Sequence, residues 1–381
     1  MIRSVGAERL HLAGREWGRL HGAVLNEVPG RPRQFASDNN AGVCPEVWRM
    51  LEEANAGGHV LGYGDDPWTA RACDAIREWL GTGCDVFFVF NGTAANAIAL
   101  AGLCRPYHAV ICHAEAHIRQ DECGAPGFFG GGTQLLALEG AHGRLTVQSV
   151  EEAILSHFPL HASKPGALSL TQATERGTVY AVEAVAALTD VAHRHGLKVH
   201  MDGARLANAL VTLGCGPGEV TWRAGVDVLS LGMTKNGGVG SEAVVVFDAE
   251  VAREMEYRVK QGGQLASKMR YLAAPWLGLL EGDVWRRHAS RANAMAERLE
   301  AALGGLPGIR LLHPRESNAL FVELPEPVIR ALRAEGWAFY VFEGRTGCRL
   351  MCAWDTREED VDALAAAIRV AWPAGHGGET G

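Results

Sequence analysis

At 381 residues the chain is long enough for two domains and a substantial buried core, and with 48% hydrophobic and 21% charged residues its composition excludes wholesale disorder. A formal net charge of −8 with no basic block argues against nucleic acid as a partner, and no apolar run reaches the ~18–20 residues that cross a bilayer, so the expected partners are small molecules and no membrane. Glycine is in excess, at 47 residues against the usual ~7% of a chain and without a collagen period, which asks where the backbone needs its freedom.

Residues 1–33 mix charge with sparse apolar positions and end in Pro29-Gly30-Arg31-Pro32, so they are expected to form an N-terminal extension. The N-terminus has no apolar core of a signal peptide, and the nine cysteines show no paired metal spacing; both point to reduced thiols in the cytoplasm. From residue 34 to 248 short apolar runs alternate with helical patterns. The strand candidates are Val86–Phe90, Ala109–Cys112, Thr133–Leu138, Leu168–Leu170, Val179–Val182, Leu197–Met201, Val226–Leu231 and Ala243–Phe247. Helices are expected over Trp68–Leu80, Ala94–Leu103 and Val182–His195, the last stopped by Gly196. This alternation is that of a largely parallel α/β sheet. From residue 249 to 372 the pattern changes to long helices (Val251–Lys260, Gln264–Leu280, Val284–Leu303), short strands around Leu320–Leu324 and Cys348–Cys352, and a last helix Asp360–Ala371, which reads as a smaller α+β domain. Residues 373–381 are a Gly-rich tail, expected to be flexible.

Three strand ends carry chemistry. His200-Met201-Asp202-Gly203-Ala204-Arg205 takes an apolar strand directly into a carboxylate and an arginine, at the kind of strand end where open α/β sheets bind ligands. One βαβ-sized step later, the strand ending at Leu231 delivers Lys235 onto a loop with Gly237 and Gly238 behind it. A strand-end Asp followed by a strand-end Lys is what pyridoxal phosphate requires: the Lys holds the aldehyde as a Schiff base, and the Asp keeps the pyridinium nitrogen protonated. Each residue alone reads equally as a surface Lys or a helix N-cap. The third end is Asn91-Gly92-Thr93-Ala94-Ala95-Asn96, where backbone N–H groups at a helix start could receive an anion or simply begin a capped helix; it is not G-x-G-x-x-G, so a dinucleotide fold is disfavoured.

These motifs, with Ser37-Asp38-Asn39, Tyr63-Gly64-Asp65-Asp66-Pro67 and Ala116-His117, occur in an order that resembles the threonine aldolase group of fold-type I pyridoxal phosphate enzymes, within the beta-eliminating lyase superfamily. The resemblance implies an α/β fold of the fold-type I transferase-like kind, with a mostly parallel seven-stranded sheet in the large domain and a smaller α+β C-terminal domain. It implies retro-aldol cleavage of L-β-hydroxy-α-amino acids of the L-threonine, L-allo-threonine or L-phenylserine type to glycine and an aldehyde. Residue by residue, it implies Lys235 as the Schiff-base lysine, Asp202 as the pyridinium partner, Gly92 and Thr93 as phosphate binders, and His117 stacked on the ring and a candidate base. It further implies Ser37, Arg205 and Arg349 as receivers of the substrate carboxylate, with Arg205 also near the cofactor. Tyr63 would reach a neighbouring subunit's site, so a homo-oligomer, dimer or homotetramer, is implied.

One run departs from the pattern. Where many members carry Asn-Thr-His-Asn after the strand at Leu168–Leu170, this chain has Thr171-Gln172-Ala173-Thr174-Glu175, which leaves Gln172 and Thr174 to contact the cofactor's ring oxygen or the substrate. His113-Ala114-Glu115-Ala116-His117 looks metal-like, but it follows a strand directly and lacks the H-E-x-x-H order, so no metal is expected. The remaining readings are another pyridoxal phosphate-dependent beta-eliminating lyase or amino-acid racemase, and, from a different class, a catalytically weak homologue that acts through binding alone.

Overall fold

The computed structural model describes residues 33–156 and 160–373; the expected N-terminal extension and the glycine-rich tail lie almost wholly outside them. Two sheets organise the chain. The larger has seven strands: β1 (Asp85–Val89), β2 (His108–His113), β3 (Gln134–Leu138), β4 (Lys164–Thr171), β5 (Lys198–Gly203), β6 (Val228–Gly232) and β7 (Glu242–Val246). They run in the order β1-β7-β6-β5-β4-β2-β3, with β7 antiparallel to both neighbours and every other pair parallel. The smaller sheet is antiparallel, in the order β10-β11-β9-β8, from β8 (Arg310–Leu311), β9 (Ala319–Glu323), β10 (Tyr340–Glu343) and β11 (Gly347–Met351).

The central strands are near-continuous apolar runs because helices cover both faces. One face packs Leu168, Val199, Met201, Leu229 and Val245 under Ile76, Val185, Val191 and Trp276; the other sets Val89, Val228, Val244 and Val246 against Ile98, Met255 and Val259. Within this sheet His200 is wholly buried and bonds the Ser169 and Ser230 hydroxyls of β4 and β6, each at 2.9 Å. Burial pushes it down to about 4, so it pins three strands as a neutral ring.

Helix ends follow their sequence signals. Asp66 accepts from the Thr69 N–H at 2.8 Å ahead of Pro67, and Gly81 closes the same helix at φ 67°, a left-handed residue that favours glycine. One expected strand is absent. Val179–Val182 is an extended lead into the helix Val182–Arg194, because the buried Gln172 amide satisfies both backbone groups of Tyr180, its N–H at 3.0 Å and its carbonyl at 2.8 Å, leaving nothing for a ladder. The helix expected from Gln264 begins only at Arg270, after the turn at Gly262 and Gly263 (φ 70°).

Beyond Asp248 the chain first packs back onto the large sheet. Met255 and Val259 join its outer cluster, and Ala273, Trp276 and Leu277 join the main core. The helix Val284–Leu303 bridges the two cores, with Val284 and Trp285 in the main one and Met295 to Leu303 in that of the small unit, which also includes Phe35 from the far end of the chain. No helix among the described residues is long and apolar enough to cross a membrane.

Candidate active site

β1, β2, β4, β5 and β6 all end at the same edge of the large sheet, and the loops leaving them carry the polar residues singled out above. Asp202, the last side chain of β5, is 4% exposed. Its Oδ1 accepts the Ala204 N–H at 3.0 Å and its Oδ2 the Asn96 amide at 2.8 Å. Burial alone would raise it, but the His117 and Lys235 charges and these two hydrogen bonds hold Asp202 below the usual carboxylate range. It is ionised at neutral pH.

Asn96 extends that contact. The same amide nitrogen donates to Glu122 Oε1 at 2.8 Å, and Glu122 Oε1 meets His117 Nδ1 at 2.8 Å. The hydrogen bond that Glu122 accepts raises the proton affinity of His117, and burial raises that of Glu122. A chain of hydrogen bonds therefore runs from Asp202 through Asn96 and Glu122 to the imidazole, and the pair at its end holds a proton.

Lys235 sits on a single turn, Thr234–Asn236, after β6. Three contacts fix the turn: Met233 N–H to Glu242 Oε2 at 2.7 Å, the Asn236 amide to the Trp285 carbonyl at 2.9 Å, and His288 Nδ1 to the Asn236 carbonyl at 2.8 Å. At Gly232 a Cβ would stand 2.6 Å from the Ala204 Cα, so glycine is what lets the ends of β5 and β6 close on each other and bring Lys235 beside Asp202. Burial, then the Arg205 charge, lower the Lys235 pKa and favour its nucleophilic neutral amine. Lys235 is half-buried and makes no hydrogen bond or ion pair among the described residues.

Asn91 Oδ1 caps the helix Gly92–Leu103 by accepting the Ala94 N–H at 2.9 Å. The first backbone bond of that helix is Ala95 N–H to the Asn91 carbonyl, so the Gly92 and Thr93 N–H groups precede it and stay available. The space above Gly92 is open, with no atom within 4 Å of where a Cβ would stand.

The small unit and the N-terminal segment close the other side. Asp38, 1% exposed, binds Arg205 Nε at 2.7 Å and Nη2 at 2.8 Å and accepts from the Asn318 amide at 3.0 Å. Burial opposes its ionisation, but Arg205 overrides this and holds Asp38 at about 2. The bidentate edge of Arg205, expected to be free for a substrate carboxylate, is thus filled by Asp38, leaving Nη1. Arg349, on β11, donates from Nη2 to the Ala36 carbonyl at 3.0 Å and lies between the Tyr340 and Phe342 rings. Its Nε is buried with no partner, an open donor beside Arg205. Burial and Arg205 push it down to about 10. Ser37 belongs to the same segment and caps the Asn39 N–H at 3.1 Å.

Gln172 is fully buried with both amide atoms committed to Tyr180, and it is Glu175 of the same run that meets His117. Glu175 Oε1 accepts the His117 N–H at 2.7 Å and the Thr171 hydroxyl at 3.0 Å. Tyr63 is 55% exposed on a loop at positive φ, with the Lys260 ammonium 5.3 Å from its ring centre.

Residues 34–326 match the family model for beta-eliminating lyases. The chain is 51% identical to the low specificity L-threonine aldolase of Pseudomonas aeruginosa, over 89% of this chain and 97% of that protein. It is 50% identical to that of Pseudomonas sp. NCIMB 10558, over 90% and 99%. The chain belongs to the threonine aldolase group of the beta-eliminating lyase family.

The fold agrees with this family. A threonine aldolase of Leishmania major superposes with a TM-score of 0.84 at 28% identity, over 89% of this chain and all of that one. The serine palmitoyltransferase of Sphingomonas wittichii, 15% identical with a TM-score of 0.72 over 97% of this chain and 98% of that one, shares the fold-type I architecture alone. Within that architecture, Asp202, Lys235 and His117 stand close enough to feel one another's charges. Four family-site neighbours carried no assigned role from sequence: Asp38 and Asn96 stood inside quoted motifs, Glu175 in the departing run, and Glu122 had no signal beyond lying on the turn after His117.

Proposed function

We propose that this chain is a carbon–carbon lyase that uses pyridoxal phosphate to cleave L-β-hydroxy-α-amino acids of the L-threonine, L-allo-threonine or L-phenylserine type to glycine and an aldehyde. The observation that carries the reading is its half-identity, over nearly the whole of both chains, to two proteins named low specificity L-threonine aldolase.

The residues fit the cofactor. An unpartnered lysine, an ionised buried aspartate and uncommitted N–H groups above an open glycine complement an aldehyde, a ring nitrogen and a phosphate, and the orphaned Arg349 Nε complements a carboxylate. Gly92 and Thr93 would hold the phosphate at the positive end of their helix, Asp202 the ring nitrogen and Lys235 the aldehyde carbon, with His117 beside the ring. Bound pyridoxal phosphate supplies an electron-accepting ring for the pair released when the Cα–Cβ bond breaks.

The protein's part is orientation and proton handling. Arg349 Nε, Arg205 Nη1 and Ser37 fix the substrate carboxylate, which holds the breaking bond in one direction. The proton leaving the β-hydroxyl passes to a basic group as the aldehyde departs, and a proton returns to Cα to complete glycine. His117, held by Glu122, is the imidazole placed for proton transfer. All nine cysteines are free, which supports a reducing, cytoplasmic setting. The exposed Tyr63 and Leu61 support an oligomer, dimer or homotetramer, in which that loop meets a second copy.

Incubation of the cofactor-loaded protein with L-threonine, L-allo-threonine, L-phenylserine and L-serine tests the reaction. Glycine with acetaldehyde or benzaldehyde in equal amounts is the expected result. Ammonia with a 2-oxo acid would assign an eliminating lyase, an inverted Cα a racemase, and bound cofactor without turnover a binding protein; each overturns the proposal.

A further inference from the structure

Glu175 occupies a position that the reaction as outlined does not use. Thr171 is the register partner of Asp202 across β4 and β5, and His117 opens the short helix that follows β2. One carboxylate oxygen of Glu175 accepts from both, while its second oxygen, Oε2, is buried with no partner. A single side chain thus ties the loop after β2 to the end of β4, the strand next to Asp202, and a carboxylate accepts such bonds more strongly than a neutral group.

We propose that Glu175 is a positioning residue of the active site, clamping the His117 turn to the end of β4 beside Asp202, and that turnover requires this clamp in its charged form. The proposal rests on the aldolase reading for the reaction it serves.

The surroundings make that charge conditional. Burial, then the Asp202 carboxylate, push Glu175 up to about 7. The other groups facing it are Arg205, His117, whose own N–H it accepts, Cys112, which burial pushes to about 12, and Tyr180, which burial also raises. The thiol and phenol stay neutral through the working range, so Asp202 and Arg205 set the local field. Because the folded value lies above the ordinary 4.5, the folded state binds the extra proton. The contribution of Glu175 to stability is therefore greatest at low pH and falls as pH rises from about 4.5 through about 7. The charged clamp costs stability and is kept for its effect on the site.

Glu175→Gln separates charge from hydrogen bonding, since the amide oxygen can accept both bonds but cannot ionise. In the cofactor-loaded enzyme, kcat/KM of the parent is expected to fall below about pH 7. Glu175→Gln should lose that acidic limb and on the order of 10–100-fold in kcat/KM at pH 8. Its melting temperature should match the parent at pH 5 and exceed it at pH 8. Glu175→Asp, which keeps the charge but shortens the reach, should keep the limb at a lower rate. An unmoved acidic limb in Glu175→Gln overturns the proposal whatever the absolute rate, and so does the absence of a stability gap at pH 8. A gap in melting temperature without cleavage of any β-hydroxy amino acid would instead overturn the aldolase reading while leaving the charge on Glu175 in place.

Discussion

Lys235→Ala is expected to abolish the visible absorbance of the lysine-bound cofactor and to lower kcat by on the order of 10⁴-fold or more, the scale on which loss of a covalent catalytic group is felt. The fold should survive. Lys235 has no hydrogen-bond or ion-pair partner among the described residues to lose, and its turn is held by Met233, Asn236 and Gly237 rather than by its own side chain. Circular dichroism and a thermal melt on the same sample separate the two effects. A coloured and active Lys235→Ala protein would contradict the assignment.

Asp202→Asn should be the second most damaging change, for a different reason. The carboxylate is replaced by a neutral amide, so a protonated ring nitrogen loses its counter-charge in a buried site; removal of one such electrostatic partner costs on the order of 10²–10³-fold in kcat. The amide also meets the donor of Asn96 at 2.8 Å, where two N–H groups cannot satisfy each other. The hydrogen bonds that reach His117 through Glu122 are then disturbed at their origin. Asn96→Ala breaks the same chain of hydrogen bonds while leaving the Asp202 charge in place. It is expected to lose far less kcat than Asp202→Asn. An equal loss of kcat in Asn96→Ala would show that Asp202 serves the hydrogen-bond network and not the cofactor.

Much of this site could be read in the residues because it is built from strand ends. An apolar run that stops at Asp202, another that stops just before Lys235, and the Asn91-Gly92 start of the helix Gly92–Leu103 each announce a loop at the edge of a parallel sheet, and a right-handed crossover brings them to one side. The excess glycine now has part of its cause: Gly232 admits the approach of β5 to β6, and Gly92 leaves the helix start open. What could not be read depends on distances in space between distant segments. Asp38 meets Arg205 from the other end of the chain, and Asn318 joins them from the small unit. Nothing in the spacing of Gln172 and Glu175 says which faces the site, because the turn after β4 buries the first against Tyr180 and swings the second under His117. Likewise Val179–Val182 has the composition of a strand, and only the Gln172 amide, by taking the Tyr180 backbone groups, keeps it from being one.

The central claim is that Lys235 carries the cofactor opposite Asp202. Borohydride reduction of the cofactor-loaded protein, followed by proteolysis and mass mapping of the phosphopyridoxyl group, tests it most directly. The label is predicted on Lys235 alone; a label on Lys260 or Lys268 with Lys235 unmodified, or no label on a protein that had bound the cofactor, would contradict it.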